Sequence, residues 1–191
     1  MDGVVDATHP FAARISANAV AATRSTGLPL LSVVRPAWQP TPGDDWHDVP
    51  DMAAAVEALG PAPRRVWLTI GGNELAAFRA APQHTYVVRT VDAPPADALL
   101  PHATMIRARG PFDLAQEHHL LATHRIERLV TKNSGGSATA AKLTAAREMS
   151  VPVIMVQRPV KPAGITVTDV AAVLDWLADR HVQIASSDRG V

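Results

Sequence analysis

A chain of 191 residues, 47% apolar and 19% charged, can bury a real core as one large domain or two small ones. Its formal net charge of zero argues against a nucleic-acid or membrane surface held by charge. The absence of cysteine excludes disulfides, thiolate metal sites and Cys nucleophiles, and fits a reducing cytoplasm.

Short apolar runs alternate with helical patterns along the chain. Strands are expected at Gly3–Asp6, Leu30–Val34, Val66–Ile70, Tyr86–Arg89, Thr104–Arg107, Glu127–Thr131 and Val153–Val156. Most are β-rich and do not alternate, as strands covered on both faces should be. Helices are expected at Phe11–Ser25, Met52–Leu59, Glu74–Ala80, Phe112–His124, Ala138–Met149 and Val167–Arg180; in the last, Val170, Val173, Leu174 and Leu177 form one apolar stripe. The alternation predicts an α/β fold with largely parallel sheets and right-handed crossovers. The Pro/Gly-rich stretch Gly60–Pro63 is the expected boundary, giving domains 1–60 and 61–191. Residues 1–60 offer only two strong strands, a poor sheet by themselves. No apolar run approaches the ~20 residues of a membrane span, and no basic-then-apolar leader is seen, so a cytoplasmic protein is expected.

In open α/β sheets, ligands bind beyond the carboxyl ends of the strands. The expected strand ends carry polar loops: Asp6-Ala7-Thr8-His9-Pro10 with Arg14 and Asn18 on the next helix, Gly71-Gly72-Asn73-Glu74, Arg107-Ala108-Arg109-Gly110-Pro111, Lys132-Asn133-Ser134-Gly135-Gly136, and Gln157-Arg158-Pro159. A strand, a polar Gly-rich turn and a helix start make an anion site, because free N–H groups and the helix dipole converge there. Three lysines against fifteen arginines add to this, since arginine binds carboxylate and phosphate bidentately, although an Ala- and Arg-rich genome would produce the same excess. Each loop alone is also explained by turn and capping chemistry.

Competing motifs fail. Lys142 follows Gly136 too late for a phosphate loop of the G-x-x-x-x-G-K-[ST] type, and no G-x-G-x-x-G occurs. Ser134 lacks the G-x-S-x-G elbow. His118, His119, His124 and Glu117 do not form H-E-x-x-H, so no metal is expected. Asp6 and His9 could form an acid/base pair or simply cap the turn. Trp38, Trp46, Trp67 and Trp176 are too scattered for a stacking platform and read as core or subunit contacts. For Arg35 and Arg158, each followed by Pro, a ligand role and a surface salt bridge stand level.

DATHPFAARISANA (6–19), LTIGGNELAAF (68–78), the RGPF turn (109–112), TKNSGG (131–136) with Lys142 downstream, and VPVIMVQRP (151–159) together resemble the precorrin-6A reductase family of cobalamin biosynthesis. The resemblance covers nearly the whole chain. It implies two Rossmann-like, three-layer parallel-sheet domains with the active site between them, the first domain incomplete here. It also implies hydride transfer from NADPH to a macrocycle double bond of precorrin-6A, giving precorrin-6B, with the cobalt-containing substrate as the close variant. On this reading Lys132, Asn133, Ser134, Gly135, Arg109, Gly110 and Arg14 bind the substrate's carboxylates. His9 and Thr8 belong to catalysis, with His9 as proton donor, and Gly71, Gly72 and Arg158 to the cofactor. No partner besides the tetrapyrrole is expected, and the chain would act as a monomer or homodimer. Family members begin with a further strand and a GGT-type turn on the nucleotide phosphates; the match here starts at a later strand. A tetrapyrrole- or nucleotide-binding module without turnover is the alternative.

Overall fold

The structure, a computed structural model, describes residues 3–187, and of 181–187 only the helical backbone. In chain order the elements are β1 (Val4–Asp6), α1 (Ala13–Thr26), β2 (Leu30–Val33), β3 (Trp46–Val49), α2 (Met52–Leu59), β4 (Arg65–Thr69), β5 (Thr85–Thr90), β6 (Thr104–Arg107), α3 (Leu114–Thr123), β7 (Arg128–Lys132), α4 (Ala141–Glu148), β8 (Val153–Val156), β9 (Ile165–Val167) and α5 (Val170–Ser187), with 3-10 turns over Gly72–Ala80 and Ala96–Ala98. Every strand pairing is parallel, as expected for this α/β chain.

The chain forms two compact units: residues up to Pro36 together with those from Pro159 onward, and Ala37–Arg158. This differs from the expected boundary. Gly60, at φ 73°, closes α2 and leads straight into β4 of the same sheet. The chain changes unit at Pro36 and again at Pro159, each just after an arginine. The first unit is therefore discontinuous, because β9 pairs with β2.

The first unit holds a three-stranded sheet, β1-β2-β9. α1 ends on Gly27, whose φ of 70° lets its N–H reach the Thr23 carbonyl. Gly3 is required at the start of β1, since a Cβ there would lie 2.7 Å from the Trp176 ring of α5. α5 starts after Asp169, which caps it by accepting from the Ala172 N–H. Its expected apolar stripe is not its buried face: Val170, Leu174 and Leu177 are exposed, and Trp176 is the side chain turned inward. β9 escaped the sequence reading because it is short and Ile165 is exposed.

The second unit is a six-stranded sheet in the order β3-β8-β7-β4-β5-β6. Trp67, Val87, Leu129, Val153 and Met155 pack with Leu121 of α3 and with Leu143, Ala145 and Ala146 of α4. Each fully buried large side chain contributes about 1.5–3 kcal/mol. Tyr86, adjacent to Val87 and so on the other face, stacks edge-on against Phe78 at 5.8 Å. Helix starts follow the capping residues: Asp51 accepts from Ala54 N, and Asp113 forms a capping box with Gln116. The expected helix over Glu74–Ala80 is wound as 3-10 turns from Gly72. α4 begins at Ala141 rather than Ala138, because Ser137–Ala140 is a turn closed by Ala140 N–H on Ser137 O. β3 is an edge strand with a polar sequence, so no apolar run announced it. Among the described residues, no helix is long and apolar enough to cross a membrane.

Candidate functional site

Because the second unit's sheet is wholly parallel, the carboxyl ends of its strands share one edge. Lys132 ends β7, and the chain then enters a loop that cannot be helical until Ala141. Gly135 and Gly136 take φ of 68° and 82°, which side-chain-bearing residues resist. Asn133 N–H bonds Val156 O and Ser134 N–H bonds Lys132 O. From Gly135 to Thr139, no main-chain N–H donates to a described residue. The Ser134 hydroxyl likewise has no bond within the described residues; Gly135 is buried, while Gly136, Ser137 and Ala138 are exposed. Successive unpaired N–H groups in a turned loop form an anion-binding concavity.

The neighbouring loop joins it. Phe112 N–H donates to Ala138 O at 3.3 Å, and a Cβ on Gly110 would lie 3.2 Å from that carbonyl. This places the turn carrying Arg109 against the glycine loop. Arg109 is exposed, and its guanidinium makes no ion pair with a described residue. Behind the two loops lies a buried charge cluster. Arg89 stacks 3.7 Å from the Phe112 ring centroid and 4.7 Å from that of Trp67, and bonds both Glu117 oxygens at 2.9 and 3.0 Å. Burial pushes the Glu117 carboxyl up, against the pull of Arg89 and Lys142. Lys142, 4% exposed, donates to Thr139 O at 3.0 Å.

Several expected ligand groups meet protein partners instead. Asn133 is 4% exposed, and its side chain accepts from Trp38 N–H at 2.8 Å and donates to Trp38 O at 3.1 Å. Lys132 bonds both Glu74 oxygens, at 3.0 and 2.8 Å. Glu74 Oε2 also accepts from Gly71 N–H at 2.8 Å. A Cβ on Gly71 would sit 3.0 Å from that oxygen, and one on Gly72 would sit 3.1 Å from Pro94, so both glycines make room for protein. Arg158 Nε donates to Asn133 O at 2.7 Å, tying the end of β8 to the base of the glycine loop. Glu74 and Trp38 thus organise the edge, and neither was singled out from sequence; the capping position of Glu74 was the available signal.

The first unit gathers a second cluster. The Thr8 hydroxyl and N–H both donate to Asp6 Oδ1, at 2.6 and 3.0 Å. Ser16 Oγ lies 3.3 Å from the Thr8 hydroxyl, and Lys161 Nζ donates to that hydroxyl at 3.3 Å. Burial raises the Asp6 carboxyl, but the Ser16 and Thr8 hydrogen bonds and the Lys161 charge outweigh it, so the net shift is downward. Asp6 therefore serves Thr8, not His9. Instead, His9 Nδ1 accepts the Phe11 N–H at 3.2 Å, which leaves Nε2 as the protonated nitrogen of the neutral ring. His9 and Arg14 are exposed. Lys161 was missed; its place among only three lysines was the clue.

A parallel α/β sheet with polar loops at its strand ends is the architecture of enzymes that bind small molecules at that edge. Comparison with known proteins narrows this. A family described as Precorrin-6x reductase CbiJ/CobK matches residues 1–178, and the chain belongs to that family, the precorrin-6A reductases of cobalamin biosynthesis. It is 47% identical, over 98% of its length and 73% of the relative's, to Precorrin-6A reductase of Rhodobacter capsulatus. It is 47% identical to Precorrin-6A reductase of Rhodococcus erythropolis, over 93% and 71% of the two chains. The solved structure of a CobK precorrin-6A reductase superposes with a TM-score of 0.90 at 48% identity, covering 94% of this chain and 74% of that one.

Proposed function

We propose that this chain reduces a carbon–carbon double bond of precorrin-6A, giving precorrin-6B, with NADPH as the reductant. The observation that carries this reading is the loop Gly135–Thr139, whose main-chain N–H groups donate to no described residue, beside Arg109, which makes no ion pair among the described residues. The family's substrate bears acetate and propionate carboxylates around its rim. Separate anion sites on several loops suit such a disc better than one deep phosphate cradle.

In this reading Arg109, Ser134 and Gly135 take a carboxylate, Gly110 keeps the Arg109 turn against the loop, and Arg14 takes a further carboxylate. Asn133 and Lys132 hold the loop's base. The turn at Gly71 and Gly72 suits a phosphate of the nicotinamide nucleotide. The N–H groups of Gly72 and Asn73 donate to no described residue, and Lys132 Nζ lies 3.8 Å from where a Gly71 Cβ would stand. Arg158, anchored on Asn133, is assigned to the same cofactor. The bound nicotinamide supplies the hydride; the protein's share is to orient the reacting carbons and supply the proton. His9 donates that proton as an imidazolium, formed when Nδ1 gives up the Phe11 N–H and takes a proton, and Thr8, held by Asp6, Ser16 and Lys161, fixes the loop that carries it. We place the reaction in the cytoplasm.

Anaerobic incubation with precorrin-6A and either NADPH or NADH tests the reading. An NADPH-dependent change in the macrocycle's visible spectrum is expected, weaker with NADH and with cobalt-precorrin-6A. Tetrapyrrole bound with no spectral change would instead make the chain a binding module.

A further inference from the structure

Lys142 stands in the first turn of α4, 4% exposed, where a methionine would fill the space without the cost of burying an ammonium. What the ammonium touches explains its presence. It donates to Thr139 O at 3.0 Å, at the far end of the glycine loop. It also lies 4.8 Å from the centroid of the Trp38 ring. Trp38 Nε1 in turn donates to Gly136 O at 2.9 Å, and the Asn133 side chain clamps the Trp38 main chain from both sides. The loop is thereby closed into a ring of contacts running through Asn133, Trp38, Lys142 and Thr139.

That ring sets the direction of the free donors. In a trans peptide a carbonyl and the following N–H point oppositely. Trp38 holds the Gly136 carbonyl, so the Ser137 N–H points away from the indole. Phe112 holds the Ala138 carbonyl, so the Thr139 N–H points away from the Arg109 turn. Lys142 fixes the last carbonyl of the set. Around it, Arg89 of β5 and Glu117 of α3 form the only ion pair facing it among the described residues, with Asp113 at the start of α3. Two cationic side chains, Arg89 and Lys142, thus stand beneath the loop against two carboxylates, Glu117 and Asp113.

We propose that Lys142 is a positioning residue for substrate binding, holding the Gly135–Thr139 donors in place from beneath, with Trp38 as its second fixed point. The proposal rests on the reading of that loop as a carboxylate site.

Lys142→Met and Trp38→Phe test it; the second keeps a ring over the ammonium and deletes the N–H to Gly136. Lys142→Met should raise the KM for precorrin-6A roughly tenfold, the effect of one lost charge-assisted bond, and Trp38→Phe about threefold, the effect of a lost neutral one; both should leave kcat and the KM for NADPH within about twofold. The pH profile is the second readout. Burial holds the Lys142 ammonium down to about 7. The parent's KM should therefore rise as pH is raised through neutrality, while Lys142→Met should have a flat profile. His118, 2.8 Å from Glu148 across α3 and α4, is the nearby histidine; His118→Gln should keep the parent's profile. Gly135→Ala separates the two ideas. If it leaves the KM unchanged, the loop is not the carboxylate site, and that reading of the loop falls with the proposal. If Gly135→Ala raises KM while Trp38→Phe and Lys142→Met do not, the proposal alone is overturned. Should Lys142→Met fail to fold, an unchanged KM in Trp38→Phe decides against it.

Discussion

Two Gly-Gly turns lie on the same sheet edge, and they exist for different reasons. At Gly71-Gly72 the backbone is ordinary, with φ of −70° at Gly71, and the missing side chains leave room for Glu74 and Pro94. At Gly135-Gly136 the φ values of 68° and 82° are the point, and the N–H groups that follow have no partner within the described residues. The first pair is a packing solution; the second is a backbone shape that presents donors. The same dipeptide therefore predicts different losses when altered.

The largest effect is expected at the second turn. An alanine in the left-handed region costs about 1–2 kcal/mol, and the chain escapes that cost by rotating the peptides that carry the donors. Gly135→Ala should raise the KM for precorrin-6A about tenfold or more, with little change in the KM for NADPH. Steady-state kinetics with each ligand varied in turn checks this. Equal losses for both ligands would break the contrast between the turns.

The contrast also shows what a linear reading can reach. Strands buried on both faces, such as β4 and β8, announce themselves as continuous apolar runs. β3 and β9 do not, because an edge strand need not be apolar. The glycine loop was legible because strand, turn and helix are contiguous. The employment of its side chains was not, since Asn133 is spent on Trp38, 95 residues away, and Lys132 on Glu74, 58 away. The discontinuous first unit was hidden for the same reason: only strand pairing reveals that β9 returns to β2. The two Arg-Pro steps at 35–36 and 158–159 mark the crossings, a signal weighed only between a ligand role and a surface salt bridge.

Next in size is the first turn. In Gly72→Ala the new methyl meets Pro94 Cα and Cβ at 3.1 Å, and a main-chain atom cannot simply swing aside. Overpacking of this kind costs about 1–3 kcal/mol. Urea unfolding should show the loss, and the KM for precorrin-6A should stay near the parent's. The buried lysine provides the opposite sign. Lys142 titrates at about 7 when folded and at 10.5 in the reference state, so the unfolded chain holds more protons between those values. Its contribution to stability is accordingly least favourable below about pH 7 and improves up to about pH 10.5. Lys142→Met removes that dependence, so near pH 6 it should unfold no earlier than the parent while binding substrate less well. A variant both unstable and weakly binding would reduce Lys142 to a core residue.

The smallest expected change concerns Glu74. Its pair with Lys132 is partly exposed, at 30% and 15% of the two side chains, so solvent screens it. Exposed pairs are worth about 0–1 kcal/mol, and Glu74→Gln should barely move the unfolding midpoint. Its effect on ligands is more telling. Glutamine keeps an oxygen for the Gly71 N–H but no longer neutralises the ammonium. If the Gly71-Gly72 turn receives a nucleotide phosphate, the Lys132 charge, less offset without Glu74, should tighten NADPH, lowering its KM by roughly two- to threefold at low salt, with the gain fading as salt rises. If that charge instead serves the substrate's carboxylates, precorrin-6A tightens and NADPH does not. The outcome decides which of the two turns Lys132 serves, and whether the edge is divided between packing and presentation as its glycines suggest.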